Sequence, residues 1–196
     1  SPNLPDDPAP TPEDIAAVSA QLGRPARGVH SVAHRCGCGL PDVVQTMPLL
    51  PDGTPFPTLF YLTCPRATSA IGTLEAGGLM REMTQRLADD PELAAEYRRA
   101  HESYIARREQ MQEVPQIAGI SAGGMPDRVK CLHVLVAQAL ALFEPEGRWP
   151  SHSVTELSAC YPSAARSRRP GQPWRPDPSS CYRHFIVYGW LVDCPC

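Results

Sequence analysis

Thiolates bind soft metal ions readily. Four of the eight cysteines in this chain are candidate ligands, and they are Cys36, Cys38, Cys64 and Cys131. The first two are separated by one glycine, so their thiolates can bind the same ion, and two more thiolates would complete a tetrahedral shell. We therefore predict a site for Zn²⁺ or an iron–sulfur cluster at these residues. The spacing is that of neither a zinc finger nor a ferredoxin, so two alternatives stay open: reduced structural thiols, and disulfides.

Two histidines next to these cysteines are further candidates. His34 precedes Cys36 by two residues and could form a Cys–His nucleophile pair, and His133 follows Cys131 by two residues. Positions two apart on an α-helix point about 200° away from each other. We therefore expect a site to contain Cys131 or His133 but not both, unless the first helical turn is irregular.

A glycine loop before the last predicted helix indicates an anion site. Backbone N–H groups at a helix start favour anions, and glycines let a phosphate approach closely. We predict that a small anionic or phosphorylated ligand binds at Arg35, Gly123, Gly124, Arg128 and Lys130. The P-loop pattern is absent. The alternative is a purely structural loop, in which the glycines supply positive φ and the helix start is solvated. No G-x-G-x-x-G motif identifies a reaction.

The elements that would position these residues indicate an α+β fold. Strand-like runs at 28–33, 43–49 and 58–64 are joined by short connections, which predicts a small three-stranded antiparallel sheet. Four to five helices are expected to cover it. Their predicted ranges are 11–23, 67–87 with a break at Gly77-Gly78, 90–113 and 126–143, the last with an apolar stripe of Val129, Leu132, Val136, Ala139, Leu140 and Phe143.

Composition divides the chain into three parts. Residues 1–10 are rich in Pro and Asp and are predicted to be a disordered arm, whereas residues 11–143 can form a single domain. Residues 144–196 are rich in Pro, Cys and Arg without sustained periodicity, which predicts an irregular tail. A GC-rich gene read out of frame gives such a composition, so a frame-shifted or atypical end is our hypothesis for this tail.

Charge and hydropathy exclude two broad classes. The net charge of −3 over 196 residues argues against general nucleic-acid binding and against binding to anionic membranes. No apolar stretch approaches the roughly 18 residues that span a bilayer, and the first residues do not resemble a signal peptide. We expect a soluble, cytoplasmic protein.

Four sequence segments carry a resemblance to a known family. They are Leu22–Pro25, Pro51–Leu59, Gly78–Met83 and Gly123–His133. On these segments the chain from Asp14 to Leu142 resembles DUF501, a bacterial and mainly actinobacterial family of uncharacterised proteins. Genes of this family often lie near those of a septum-formation protein and an exopolyphosphatase, so the resemblance implies a connection with cell division or polyphosphate.

Two functional hypotheses follow. The first is a metal- and anion-binding protein that acts on or binds a phosphorylated compound. The second is a non-catalytic accessory protein of septum formation, whose charged helices between Arg81 and Arg108 bind a protein partner.

Overall fold

The computed structural model describes residues 9–142, which form one three-stranded sheet and five α-helices. This arrangement confirms the predicted α+β class. The elements are α1 (Pro12–Leu22), β1 (Val29–Arg35), β2 (Pro41–Thr46), β3 (Phe60–Leu62), α2 (Pro65–Ala76), α3 (Leu79–Asp89), α4 (Pro91–Met111) and α5 (Leu132–Ala141), with a 3₁₀ turn at Pro115–Ile117.

The sheet is an antiparallel meander in the order β1-β2-β3, as predicted. Strand β2 is buried along its whole length because it lies between the other two strands. It begins at Pro41 rather than at Val43 and ends at Thr46 rather than at Leu49. Pro48 explains the early end, since proline has no N–H group with which to continue the ladder.

The first helix is fixed by its own caps. The Asp14 amide donates to Thr11 Oγ1 at 3.2 Å, and the Thr11 amide donates to Asp14 Oδ2 at 3.1 Å, which forms a capping box. Gly23 ends the helix with a left-handed conformation at φ 66°. The predicted helix over these residues is confirmed.

Arg35 connects this helix to the sheet through an ion pair with Asp14, and we expect the contribution of this pair to stability to depend on pH. Its guanidinium donates two hydrogen bonds to the Asp14 carboxylate, at 2.7 and 2.8 Å, and these bonds lower the pKa of Asp14 from 3.8 to about 2. Because the folded-state pKa is lowered, the pair stabilises the protein above pH 3.8, and this contribution disappears as the pH falls towards 2. Replacing Arg35 with Gln should cost about 1 kcal/mol at pH 7, since the pair is partly exposed.

Urea unfolding at several pH values tests this prediction. The difference in unfolding free energy between wild type and Arg35→Gln should shrink as the pH falls below about 4. Arg24→Gln, at an exposed arginine beyond α1, is the matched control and should change little at any pH. A difference that stays constant down to the acid transition would show that Asp14 is not responsible.

The main apolar core lies between the sheet and the helices that follow it. Helix α5 packs on the sheet mainly through β3, and α2 and α3 contact α5 and α4, respectively. Buried members of this core include Val43, Leu59, Phe60, Leu62, Ile71, Tyr104, Leu132, Leu135, Ala137 and Leu140. Of the predicted α5 stripe, Val129, Leu132, Ala139 and Leu140 are buried, whereas Val136 is partly exposed.

Helix α5 starts six residues later than predicted, at Leu132 instead of Pro126. Two backbone amides that a longer helix would use are bound elsewhere, since Lys130 N–H donates to the Gly123 carbonyl and Leu132 N–H to Glu75 Oε1. The Val129 N–H also donates outside the segment, to Thr84 Oγ1. Residues 123–130 therefore form a loop closed on itself, and the prediction of a helix there was wrong.

The predicted break at Gly77-Gly78 is confirmed, since α2 ends at Ala76 and α3 begins at Leu79. Most of the N-terminal arm, all of the C-terminal tail and Phe143 lie outside the described residues. Within residues 9–142, no helix combines the length and the apolar character that crossing a membrane requires.

Candidate metal centre

Three side chains from α2 and from the start of α5 bring sulfur, nitrogen and oxygen donors together. Glu75 lies in the last turn of α2, Cys131 directly precedes α5, and His133 is in its first turn. One donor atom from each lies within 4.8 Å of the other two. His133 Nδ1 is 3.1 Å from Glu75 Oε1 and 3.8 Å from Cys131 Sγ.

Cys131 and His133 face the same point because Cys131 is not helical. Its φ of −150° and ψ of 117° are those of extended backbone, and the helix begins only at Leu132. The 200° separation of a regular helix therefore does not apply. The expectation that a site would contain only one of the two is corrected by this irregular start.

Glu75 also caps the N-terminus of α5. Its Oε1 accepts a hydrogen bond from the Leu132 amide at 2.7 Å. A helix N-terminus carries partial positive charge, so it favours this carboxylate. The anion at the start of α5 is therefore a side chain of the protein itself, and the binding of an external anion near this helix stays a prediction.

The orientation of the His133 ring is set by α2. Nε2 lies 3.2 Å from the Thr68 carbonyl oxygen, which can only accept, so Nε2 carries a hydrogen. In the neutral imidazole, Nδ1 then presents a lone pair towards Glu75 Oε1, which is another acceptor. A metal ion placed between these two atoms would bind both lone pairs. A hydrogen bond from the distal ring nitrogen to a carbonyl is also the usual support of a metal-binding histidine.

The group is accessible from solvent. The side chains of His133 and Glu75 are 26% and 21% exposed, and Cys131 is also partly exposed. An ion can therefore reach the three donors without unfolding of the core. With three protein ligands, a tetrahedral ion would retain one position for an external ligand.

The other predicted cysteines lie elsewhere in the fold. Cys36 and Cys38 belong to the turn between β1 and β2, where their sulfur atoms are 3.0 Å apart. Cys64 is the N-cap residue of α2 and is buried in the apolar core. Among residues 9–142 the four cysteines do not form a shared ligand group, and the group that includes Cys131 is completed by Glu75 and His133. The four sulfur atoms therefore do not converge within the described residues, and the candidate donor group there contains sulfur, nitrogen and oxygen.

Sequence reasoning missed Glu75, although one signal was present. An acidic residue in the last turn of a helix is unfavourable, because the helix dipole is negative there. The adjacent start of α5 explains why the glutamate lies at this position.

His34 is paired with an aspartate. Its Nδ1 lies 2.7 Å from Oδ1 of Asp42, whose side chain is only 1% exposed. Asp42 Oδ2 has no hydrogen-bond partner among the described residues. Nδ1 of His34 is thus bound to a carboxylate, and the structure does not place His34 in the metal group.

The residues predicted to bind an anion are separated in the structure. Arg35 is bound to Asp14 and to the Gly39 carbonyl, at the edge of the sheet. Gly123 and Gly124 have φ values of 74° and 86°, and Arg128 and Lys130 are exposed in the same loop. Gly124 has no room for a side chain, since a Cβ there would lie 2.7 Å from the Lys130 Cβ. Anion binding by this loop stays a prediction.

Comparison with known proteins identifies a family. No curated protein and no solved structure matches the chain. One family model, described as "Protein of unknown function (DUF501)", matches residues 32–151, a segment that includes Glu75, Cys131 and His133. The match covers more than half of the chain, and the protein therefore belongs to DUF501.

Proposed function

We propose that this protein binds a transition-metal ion, with Zn²⁺ as the best match, through Glu75, Cys131 and His133. The observation that supports this proposal is the spacing of the three donor atoms. Tetrahedral Zn²⁺ with ordinary bond lengths requires a nitrogen–oxygen separation of about 3.4 Å and a nitrogen–sulfur separation of about 3.6 Å. The observed separations are 3.1 and 3.8 Å, and the carboxylate oxygen and the sulfur lie within 4.8 Å of each other.

The donor types select the ion. One thiolate, one imidazole and one carboxylate suit Zn²⁺, which accepts all three. Ca²⁺ and Mg²⁺ prefer oxygen ligands only, and an iron–sulfur cluster requires more thiolates than this group supplies. Zinc is therefore preferred over the cluster that was the other sequence-based prediction.

The fourth coordination position supports the prediction of an anionic ligand. A phosphate or carboxylate oxygen can take the position that water otherwise occupies. In this proposal the metal, and not the N-terminus of α5, attracts a phosphorylated compound. The alternative of an accessory protein in septum formation stays a prediction, and its partner surface would lie on α3 and α4.

Metal titration of the purified, reduced and chelator-treated protein tests the proposal. We expect one equivalent of Zn²⁺ to bind in competition with a chromophoric chelator, and one equivalent of Co²⁺ to produce a thiolate charge-transfer band. Cys131→Ser and His133→Asn should each lower the affinity at least about 100-fold, because each removes a ligand. Cys131→Ser is nearly isosteric, whereas His133→Asn also removes the Nε2 contact with the Thr68 carbonyl.

Two control variants make the result specific. The double variant Cys36→Ser/Cys38→Ser and the exposed His30→Gln should bind Zn²⁺ as the wild type does. If the double variant lost Zn²⁺ binding while Cys131→Ser bound Zn²⁺ normally, the metal site would be at the β1–β2 turn. Absence of binding by the wild-type protein would overturn the proposal.

A further inference from the structure

A serine and a histidine outside the metal group are hydrogen-bonded across the fold. His101 is on α4, and Ser121 lies in the loop after the 3₁₀ turn, 20 positions later in the chain. Ser121 Oγ is 2.8 Å from His101 Nδ1. Ser121 is largely buried, whereas His101 is partly exposed. A serine within hydrogen-bond distance of a histidine has the geometry of a nucleophile and its general base.

The tautomer of His101 sets the direction of this hydrogen bond. With the ring hydrogen on Nε2, Nδ1 accepts the proton of the Ser121 hydroxyl, and this is the tautomer that a general base requires. The other acceptor in reach of Ser121 Oγ, the Ala122 carbonyl, is more distant, at 3.4 Å. Burial and then the neighbouring Arg98 lower the pKa of His101, while Glu102 and Asp127 act in the opposite direction. The imidazole is therefore neutral at pH 7 and can accept a proton.

Hydrogen-bond donors directly follow the serine. The backbone amides of Ala122, Gly123 and Gly124 donate to no acceptor within residues 9–142. The loop is held in shape by the bond from the Lys130 amide to the Gly123 carbonyl, at 2.6 Å. Fixed amides next to a nucleophile can stabilise the negative charge that develops on an attacked carbonyl oxygen.

An exposed apolar side chain precedes the serine. Ile120 is 54% exposed, although most large apolar residues of the described chain are covered. It offers an apolar surface to a substrate that reaches Ser121. The combination of a hydroxyl, a neutral imidazole, free amides and an apolar neighbour matches the requirements of acyl transfer from an ester with a small apolar acyl group.

We propose that Ser121 and His101 form a catalytic pair that hydrolyses carboxylic esters of small acyl groups. Ser121 Oγ forms a bond to the carbonyl carbon while its proton moves to His101 Nδ1. The carbon–oxygen bond to the leaving alcohol then breaks, and this oxygen takes the proton from His101. Water repeats the sequence on the acyl-serine, which releases the carboxylic acid and restores the hydroxyl. This activity needs no metal and is independent of the proposed zinc centre.

A fluorophosphonate probe and p-nitrophenyl acetate test the pair in the full-length protein, with EDTA present to remove any metal contribution. We expect the probe to modify the native protein at Ser121, as identified by peptide mass, and Ser121→Ala to abolish labelling. His101→Asn should slow labelling and ester hydrolysis at least about 100-fold. The asparagine oxygen lies close to the place of Nδ1 and still accepts the serine hydrogen bond, so the loop contact is preserved.

The design separates catalysis from a structural contact. Ser69→Ala, at an exposed serine of α2, is the control and should be labelled as the wild type is. Circular dichroism and thermal unfolding identify any variant that fails to fold. Unchanged labelling in a folded His101→Asn protein would overturn the proposal, as would modification at another serine or a native rate no higher than that of heat-unfolded protein.

Discussion

Replacing Arg108 with methionine is expected to destabilise the protein by about 3–5 kcal/mol. The Arg108 side chain is almost completely buried, with 1% exposure. Its guanidinium donates to three backbone carbonyls, those of Pro57 at 3.0 Å, Ile117 at 2.7 Å and Ile120 at 2.5 Å. Methionine fills a similar volume but donates nothing, so these carbonyls would lose their partner.

The stabilising effect comes from carbonyl groups and not from an ion pair. No carboxylate of residues 9–142 forms a salt bridge with Arg108, and burial lowers the pKa of its guanidinium. The three carbonyls belong to the segment before β3 and to the connection that leads to Ser121. Arg108 therefore joins α4 to two irregular segments, which explains an effect larger than that of a surface arginine.

Urea unfolding monitored by circular dichroism measures this effect. Arg99→Met is the matched control on the same helix, since Arg99 is 49% exposed and is ion-paired with Glu96. It should cost less than about 1 kcal/mol. Arg108→Lys should recover part of the loss, because an ammonium group can reach some of the carbonyls but not all three. Equal effects at positions 108 and 99 would contradict the assigned role.

Replacing Glu75 with glutamine is expected to lower Zn²⁺ affinity about 10- to 100-fold with little effect on the stability of the metal-free protein. The substitution removes the charged ligand oxygen. It keeps a side-chain oxygen that can accept from the Leu132 amide, so the cap of α5 survives. Glu75→Ala should lose both functions and should also destabilise the metal-free protein by about 1 kcal/mol.

Paired zinc titrations and thermal unfolding distinguish these two roles of Glu75. Glu102→Gln, at an exposed acid of α4, is the control for a general loss of negative charge. Zinc affinity of Glu75→Gln equal to that of the wild type would mean that the three side chains form only a helix-capping network. Cys131 and His133 alone would then be too few for a stable site.

Local elements could be predicted from the sequence because their causes are local. The capping box of α1 involves Thr11 and Asp14, which are three positions apart, and Asp90 caps α4 by accepting from the amides of the second and third residues after it. The glycine that ends α1 adopts its left-handed conformation locally. Glycines at positions 77 and 78 interrupt a helix wherever the rest of the chain lies. The three strands were found from their apolar and β-branched runs, although their ends depend on tertiary contacts.

Only part of the candidate metal group could be predicted, because Glu75 is distant in sequence from Cys131 and His133, which were both candidates. The close spacing of Cys36 and Cys38 predicted that they would bind one ion together with Cys131. In the structure, the candidate ligands next to Cys131 are a glutamate and a histidine. The late start of α5 is the second reason. The bond from the Val129 amide to Thr84 and the bond from the Lys130 amide back to Gly123 keep this segment out of the helix, and the late start leaves Cys131 in extended backbone facing His133.

The bond between Glu75 and the Leu132 amide joins points 57 positions apart, and both α3 and α4 lie in the intervening stretch. An ion bound at this junction would act as a cross-link that closes a long loop. Such closure reduces the conformational entropy of the unfolded chain, and the benefit increases slowly with loop length. The helical hairpin between the two ends would thus resist local opening and proteolysis more strongly in the metal-bound form, although the ligands themselves lie outside it.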